Sequence, residues 1–347
     1  MGKETLFEDR EIFSAASRRD IFKSVGAVAL GAALLADAGF DPAMAQELKA
    51  APKPIKAAMG NAGLQATWCA QGKQAAEAWA KLMNVELTWF DGELSATKQR
   101  SAVENMATQK WDFVAIQTFG IGTLTDPIKK MIDAGTPVIA MDTLVAPPGT
   151  IPIHTFIAPD NVMMGSVVSD QVMAAIGGKG TVVMTQGALG HSGAQGRAKG
   201  FKEVLAKYPN VKLLDEQPAD WDVTKVARIW ESLLTKYPDI SAGFFHNDDM
   251  ALAANNVIKA KGRTGIILGG VDAMPPAVSA VLDGTMIATV RNPSCRIHGW
   301  SVAAGVAAVV GGEKGGKEIP NYILADGPVI TKDTAPGHLW LQKNFLI

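Results

Sequence analysis

The chain has 347 residues, with 33 Lys+Arg against 34 Asp+Glu, 48 % hydrophobic residues and two cysteines. Near-zero net charge with so many apolar residues excludes a disordered solvating chain, and the missing basic excess argues against a binder of nucleic-acid phosphates. Two cysteines cannot build a disulfide scaffold or a four-Cys zinc site, and the length suffices for two domains of ordinary size.

The first 45 residues read as an export signal. Ser17-Arg18-Arg19-Asp20-Ile21-Phe22-Lys23 is followed by an uncharged apolar stretch over 25–35 and then by Ala43-Met44-Ala45. A charged n-region, a short h-region and an A-x-A site in that order describe a cleavable signal peptide. The apolar stretch falls short of the ~20 residues that span a hydrocarbon core. The twin arginine with Phe and Lys behind it resembles the Tat consensus, which implies export in the folded state. The mature chain is then expected to start near Gln46 and, with no later run of spanning length, to be soluble and periplasmic.

After the linker Ala51-Pro52-Lys53-Pro54, short apolar runs alternate with amphipathic stretches of helical length. Strands are expected at 55–59, 86–90, 113–116, 138–141, 181–184, 211–214, 242–245, 266–271 and 287–290. Helices are expected at 73–83, 96–109, 124–133, 162–176, 198–207, 223–236, 250–261 and 275–282. Alternation at this pitch argues βαβ units and parallel sheets, hence an α/β fold of two doubly wound lobes. Such sheets bind ligands at the carboxyl ends of their strands.

Polar residues stand at nearly every one of those ends. Asn61, Asp91, Gln117 and Asp142 follow the first four strands; Gln186, Gln217, Asn247 with Asp248 and Asp249, Asp272, and Arg291 with Asn292 follow the later ones. Loops are polar in any case, so chemical type carries the weight. Carboxylates and amides beside Trp68, Trp221 and Phe119 make a polar slot with aromatic walls. That suits a neutral polyol, whose hydroxyls donate and accept while its C–H faces lie on rings. A phosphate or an organic acid would call for more cations.

From about residue 55 to 329 the chain resembles the periplasmic sugar-binding proteins of the ribose-binding type. The resemblance rests on Pro137 to Asp142, Ala158-Pro159-Asp160-Asn161, Gly193 to Phe201, Gln217 to Asp222, Phe245 to Ala251, and Gly270-Val271-Asp272, in the family's order. It implies Asp142, Arg197, Asn247 and Asp272 as hydroxyl ligands, Trp221 as a stacking platform, Gln117 as a polar contact and Asn292 as a contact at the second crossing between lobes. Two departures stand out. Thr143 occupies the position after the strand-end Asp where the ribose pattern has Arg, and the paired aromatics after the first strand are reduced to Trp68 followed by Cys69. Arg291 is a candidate to restore the missing guanidinium, and His191 and His246 sit beside motif residues.

The resemblance also implies lobe boundaries: 51–159 with 293–319, and 160–292 with 320–347. It implies a hinge-closing receptor of an ABC importer, a membrane permease as partner, and no cofactor, metal or nucleic acid; the protein is expected to be a monomer. The tail carrying His338, Trp340 and Phe345 runs past the family's usual finish and is expected to pack on a lobe surface. Cys69 and Cys295 could form a disulfide in an oxidising compartment, or serve as two small buried hydrophobes. An exported carbohydrate enzyme is the alternative, since paired carboxylates can hydrolyse a glycoside. Against it, Gly120-Ile121-Gly122 lacks a third glycine for dinucleotides, and no H-E-x-x-H or G-x-S-x-G appears. A sugar-responsive transcription regulator would need a DNA-binding headpiece that the start of the chain does not offer.

Overall fold

Six parallel strands build the first sheet: β1 (Ile55–Asn61), β2 (Val85–Asp91), β3 (Phe113–Ile116), β4 (Val138–Met141), β5 (Thr155–Ala158) and the late β11 (Tyr322–Leu324), in the order β11-β5-β4-β3-β1-β2. Every residue of β3 and β4 is buried, as expected for strands covered on both faces. This computed structural model describes residues 53–345 and 347, so the expected signal peptide lies outside the described residues. Helices α1 (Thr67–Leu82), α2 (Ala96–Met106) and α3 (Thr125–Asp133) connect the strands, and α9 (Ser294–Glu318) returns to pack on α1.

The second sheet holds β6 (Lys179–Gln186), β7 (Asn210–Pro218), β8 (Ala242–Phe245) and β9 (Ile267–Gly269) in the order β7-β6-β8-β9, again all parallel. Its helices are α4 (Asn161–Ala175), α5 (Ser192–Leu205), α6 (Val223–Lys236), α7 (Asp248–Ala260) and α8 (Pro275–Asp283). The two sheets share one topology. In each, strand order reverses beside the first strand, and crevices outside such switch points are where open α/β sheets take ligands.

Local chemistry sets the helix starts facing that crevice. Asp160, His191, Asp222 and Asn247 each accept a backbone N–H from the first turn that follows, capping α4 to α7. Close packing of α4 on α5 depends on Gly165 and Gly200. A Cβ on Gly165 would stand 2.3 Å from the Arg197 carbonyl oxygen, and one on Gly200 2.1 Å from that of Val162. Those two glycines thus fix where the Arg197 backbone sits.

Three segments cross between the lobes and bond to one another. Ala325 N donates to Ala158 O at 3.0 Å, Asp160 N to Asp326 Oδ1 at 2.8 Å, and Arg291 N to Pro328 O at 2.9 Å. Beside them, β10 (Thr289–Val290) pairs antiparallel with β12 (Val329–Ile330). The strand Tyr322–Leu324 pairs with β5, so this part of the segment drawn from 320 onward into the second lobe belongs to the first sheet. The final helix α10 (Ala335–Asn344) packs on α8, and Gln342 Nε2 donates to Ala273 O at 2.7 Å, tying the tail to the loop after β9.

Candidate functional site

Eight of the ten expected ligand residues line one cavity between the lobes: Trp68, Gln117, Asp142, Arg197, Trp221, Asn247, Asp272 and Asn292. Ala62, Ala66, Cys69, Leu94 and His191 also line it. Its volume is about 40 Å³, a slot that fits something small.

Asp142 stands at the end of β4 with φ 57°, a left-handed backbone that Asp tolerates better than most residues. Its Oδ2 accepts from Gln117 Nε2 at 2.9 Å and from Thr143 Oγ1 at 3.3 Å, and its Oδ1 from Asn292 Nδ2 at 3.2 Å. The Gln117 amide has one orientation, because its Oε1 takes the Ala62 N–H at 3.0 Å. Asn292 Nδ2 also reaches Asp272 Oδ1 at 3.4 Å, so one amide bridges carboxylates from the two sheets. The Asn292 Oδ1 is buried without a partner, an acceptor left for a hydroxyl.

On the opposite side, Asp272 (φ 118°) follows β9 and faces Arg197 Nη2 at 3.5 Å. Arg197 is held by Asn161 Oδ1 at 3.0 Å and by the His246 carbonyl, and its guanidinium lies 5.7 Å from the Trp221 ring centre. Trp221 itself sits at φ 64°, which for an aromatic residue costs about 1–3 kcal/mol and persists only where the surroundings impose it. Burial pushes Asp272 up to about 8, Arg197 opposes that, and Asp142 adds to it. At neutral pH Asp272 therefore keeps its proton and adds no negative charge to the slot, which suits an uncharged ligand.

His191 lines the slot beside Thr143. Its Nδ1 accepts the Gly193 N–H at 3.0 Å, which puts the ring proton on Nε2, 2.6 Å from Thr143 Oγ1. The hydroxyl can then pass its own proton toward Asp142 Oδ2. Burial holds His191 down at about 4, so the ring is neutral. This chain runs from the second lobe to the first. Thr67 with Asp249, Leu144 N with Ser192 Oγ (3.0 Å) and Ile121 N with Gly190 O (2.8 Å) also cross the gap, and the lobes are closed.

Four expectations need correction. Arg291 does not reach the slot; it lines a separate cavity beside the crossing segments and meets His338, so it cannot replace the guanidinium next to Asp142. Asn61 is fully buried behind the slot, where Nδ2 donates to Cys69 O at 3.0 Å and steadies the start of α1. Cys69 and Cys295 are unbonded buried thiols: Cys69 Sγ points at Gln117 Oε1 (3.6 Å) in the slot, while Cys295 opens onto the Arg291 cavity. Phe119 is not a wall of the slot either.

Sequence reasoning also gave no task to Asp248. Its carboxylate accepts Thr289 Oγ1 at 2.7 Å and Met274 N at 2.8 Å, fixing the loop that carries Asp272. Its position after a strand was visible, but not the partner loop. Among the described residues no cluster of His, Cys, Asp or Glu could hold a metal ion, and no helix is long and apolar enough to cross a membrane.

Two parallel-sheet lobes on three crossing segments, closing polar strand ends over one slot, define a hinged solute-binding protein. Residues 58–314 match the periplasmic binding protein domain family, and the chain belongs to it. It is similar to the xylitol-binding protein of Mycolicibacterium smegmatis, 30 % identical over 265 residues that cover 76 % of this chain and 73 % of that one. It is also similar to the galactofuranose-binding protein YtfQ of Escherichia coli, 29 % identical over 299 residues, 84 % and 92 % of the two chains. Among solved structures, a galactofuranose binding protein superposes with TM-score 0.78 at 26 % identity, covering 85 % of this chain and 100 % of the other. An ABC transporter solute binding protein from Mycobacterium smegmatis with bound glycerol gives 0.75 at 26 % identity, covering 82 % and 96 %.

Proposed function

We propose that this protein is the solute receptor of an ABC importer and binds a small neutral monosaccharide or sugar alcohol between its lobes. The observation that carries the reading is Asn292 bridging Asp142 and Asp272, with its own Oδ1 left unpaired between them. Hydroxyls of a polyol both donate and accept, so they satisfy the Asp142 and Asp272 side chains, the Arg197 fork and that orphan oxygen together. Trp221 and Trp68 supply the faces on which C–H groups lie. Similarity to proteins named for xylitol, ribose and galactofuranose points to the same ligand class.

The mechanism is a population shift. A sugar that contacts Asp142 on one lobe and Arg197 and Asp272 on the other binds the closed state better than the open one. The closed form presents a joint surface of both lobes to the membrane permease. The protein performs no catalysis on this reading: it needs no cofactor, binds no nucleic acid and works as a periplasmic monomer exported through the Tat-like signal. Its lobes comprise 51–159 with 293–319, and 160–292 with the rest, apart from the strand noted above.

A thermal-shift screen of the purified protein against aldoses, alditols, amino acids and sugar phosphates tests this. A ligand bound only by the folded state raises the melting temperature by mass action. The expected result is a shift confined to one or a few sugars or polyols. Shifts with amino acids or phosphates alone would overturn the assignment of the slot.

A further inference from the structure

Arg291 is 7 % exposed, and among the described residues its one polar side-chain contact is Nη1 to His338 Nε2 at 3.4 Å. Arg296 faces the same cavity, with its guanidinium 5.4 Å from the Trp300 ring centre and Nη1 on the Asp326 carbonyl at 2.8 Å. Among the described residues neither guanidinium has a carboxylate partner, although a buried cation without a counter-charge is costly. This cavity is about 340 Å³, within the range of ligand sites, and Trp79, Trp300 and Leu341 form apolar walls.

Burial brings Arg291 down to about 10, Cys295 counters this, and Arg296 adds to the lowering. It remains charged at neutral pH. His338 is held at about 4 by burial and then by Arg291, so it stays neutral and accepts from the guanidinium. Among the described residues the cavity thus offers two guanidiniums beside two indoles, and Ile347, which also lines it, forms no ion pair with either guanidinium. Bidentate pairing with a planar guanidinium is the geometry of a carboxylate, and indoles cover a flat apolar body. Inorganic phosphate would meet the same cations but leave the apolar walls uncovered.

We propose that this cavity, walled by Arg291, Arg296, His338, Trp79 and Trp300, is a second ligand site that takes a small organic carboxylate with a flat apolar body. It is separate from the sugar slot and does not rest on the reading of that slot. It also gives Arg291 and the tail helix a use that the slot does not.

The test is titration calorimetry of the purified full chain at pH 7.5 with benzoate, benzamide and inorganic phosphate as probes. Benzoate is expected to bind saturably at one site and more tightly than benzamide or phosphate. Arg291→Gln is expected to weaken benzoate by about tenfold or more, the loss of a charge-assisted pair. Arg296→Gln, on an exposed side chain that leaves folding intact, is expected to weaken it several-fold. Circular dichroism melts report whether each variant is folded; should Arg291→Gln not fold, Arg296→Gln and Trp79→Phe carry the test. Absence of saturable benzoate binding, equal binding of benzamide, tighter binding of phosphate, or undiminished binding in the folded variants would each overturn the proposal.

Discussion

Thr67 donates both its backbone N–H and its hydroxyl to the two oxygens of Asp249, each at 2.8 Å, across the mouth between the lobes. Thr67 opens α1 of the first lobe and Asp249 lies in the first turn of α7 of the second. The pair exists only when the lobes are closed, so its energy adds to the closed state alone. Thr67→Ala removes one of the two bonds and leaves the helix start intact. Because the pair is solvent-exposed, about 1 kcal/mol is at stake, a roughly fivefold weaker affinity expressed as faster release. Stopped-flow dissociation of the sugar identified by the screen measures this; an unchanged release rate would mean the pair plays no part in closure.

Asp142 gathers three donors, from Gln117, Thr143 and Asn292, in a buried setting. Asp142→Ala leaves those donors unpaired and removes a charged partner for the ligand. A lost hydrogen bond to a charged group costs about 1.5–3 kcal/mol, so affinity should fall by about one to two orders of magnitude. Calorimetry on Asp142→Ala and Asp272→Ala checks it, and a variant that binds like the parent removes that carboxylate from the site.

Much of this was legible in the chain because parallel-sheet strands are continuous apolar runs. The expected bounds of β3, β4 and β8 match the structure residue for residue, as do those of α6. What escaped were elements without that signature. The strand Thr155–Ala158 follows a Pro-rich loop, while Tyr322–Leu324 and Val329–Ile330 are two or three residues long and gain their strand state only from long-range pairing. The slot was readable because several strand ends, those carrying Gln117, Asp142, Asn247 and Asp272, deliver a polar residue to the same crevice. Arg291 broke that rule. It and Asn292 follow the same short strand, but neighbouring side chains leave an extended segment on opposite sides, and only Asn292 reaches the slot. Pairings between lobes, such as His191 with Thr143, leave no local trace in sequence at all.

Trp221 is wedged between the His191 ring, edge-on at 5.2 Å, and the Arg197 guanidinium, with Gly187 directly beneath it. A Cβ on Gly187 would stand 2.0 Å from Trp221 Cζ2, so Gly187→Ala must displace the indole or the loop. Gly187→Ala and Trp221→Ala are both expected to weaken sugar binding by about tenfold or more, whereas Trp221→Phe keeps an aromatic face and loses less. Equal binding by Gly187→Ala and the parent would show that the indole is not the platform.

Stability should peak near pH 6.5, for reasons on both sides. All five histidines are held below their ordinary value, chiefly by burial: His191, His298 and His338 at about 4, His246 well below 6.5, and His154 lowered. In the unfolded chain they take up protons near pH 6.5 that the folded chain refuses, so stability is lost as pH falls from 6.5 toward 4. Asp272, raised to about 8, and Asp248, raised well above the carboxylate range, act in the opposite sense. The folded chain keeps their protons after the unfolded chain has released them near 3.8, so their contribution is full at low pH and is lost as pH rises toward 8. Below 6.5 the histidines outnumber the two acids and stability falls with acid. Between 6.5 and 8 the histidines no longer titrate in either state, and the acids alone set a downward slope. Asp272 accounts for about 2 kcal/mol of that alkaline limb at ~1.4 kcal/mol per proton and pH unit. Urea unfolding of the ligand-free protein from pH 5 to 8.5 should give a maximum near 6.5, and Asp272→Asn should flatten the alkaline side while leaving the acid side in place. A parent curve that climbs steadily to pH 8.5, or an Asp272→Asn curve with the same alkaline limb, would show that Asp272 is ionised in the folded protein.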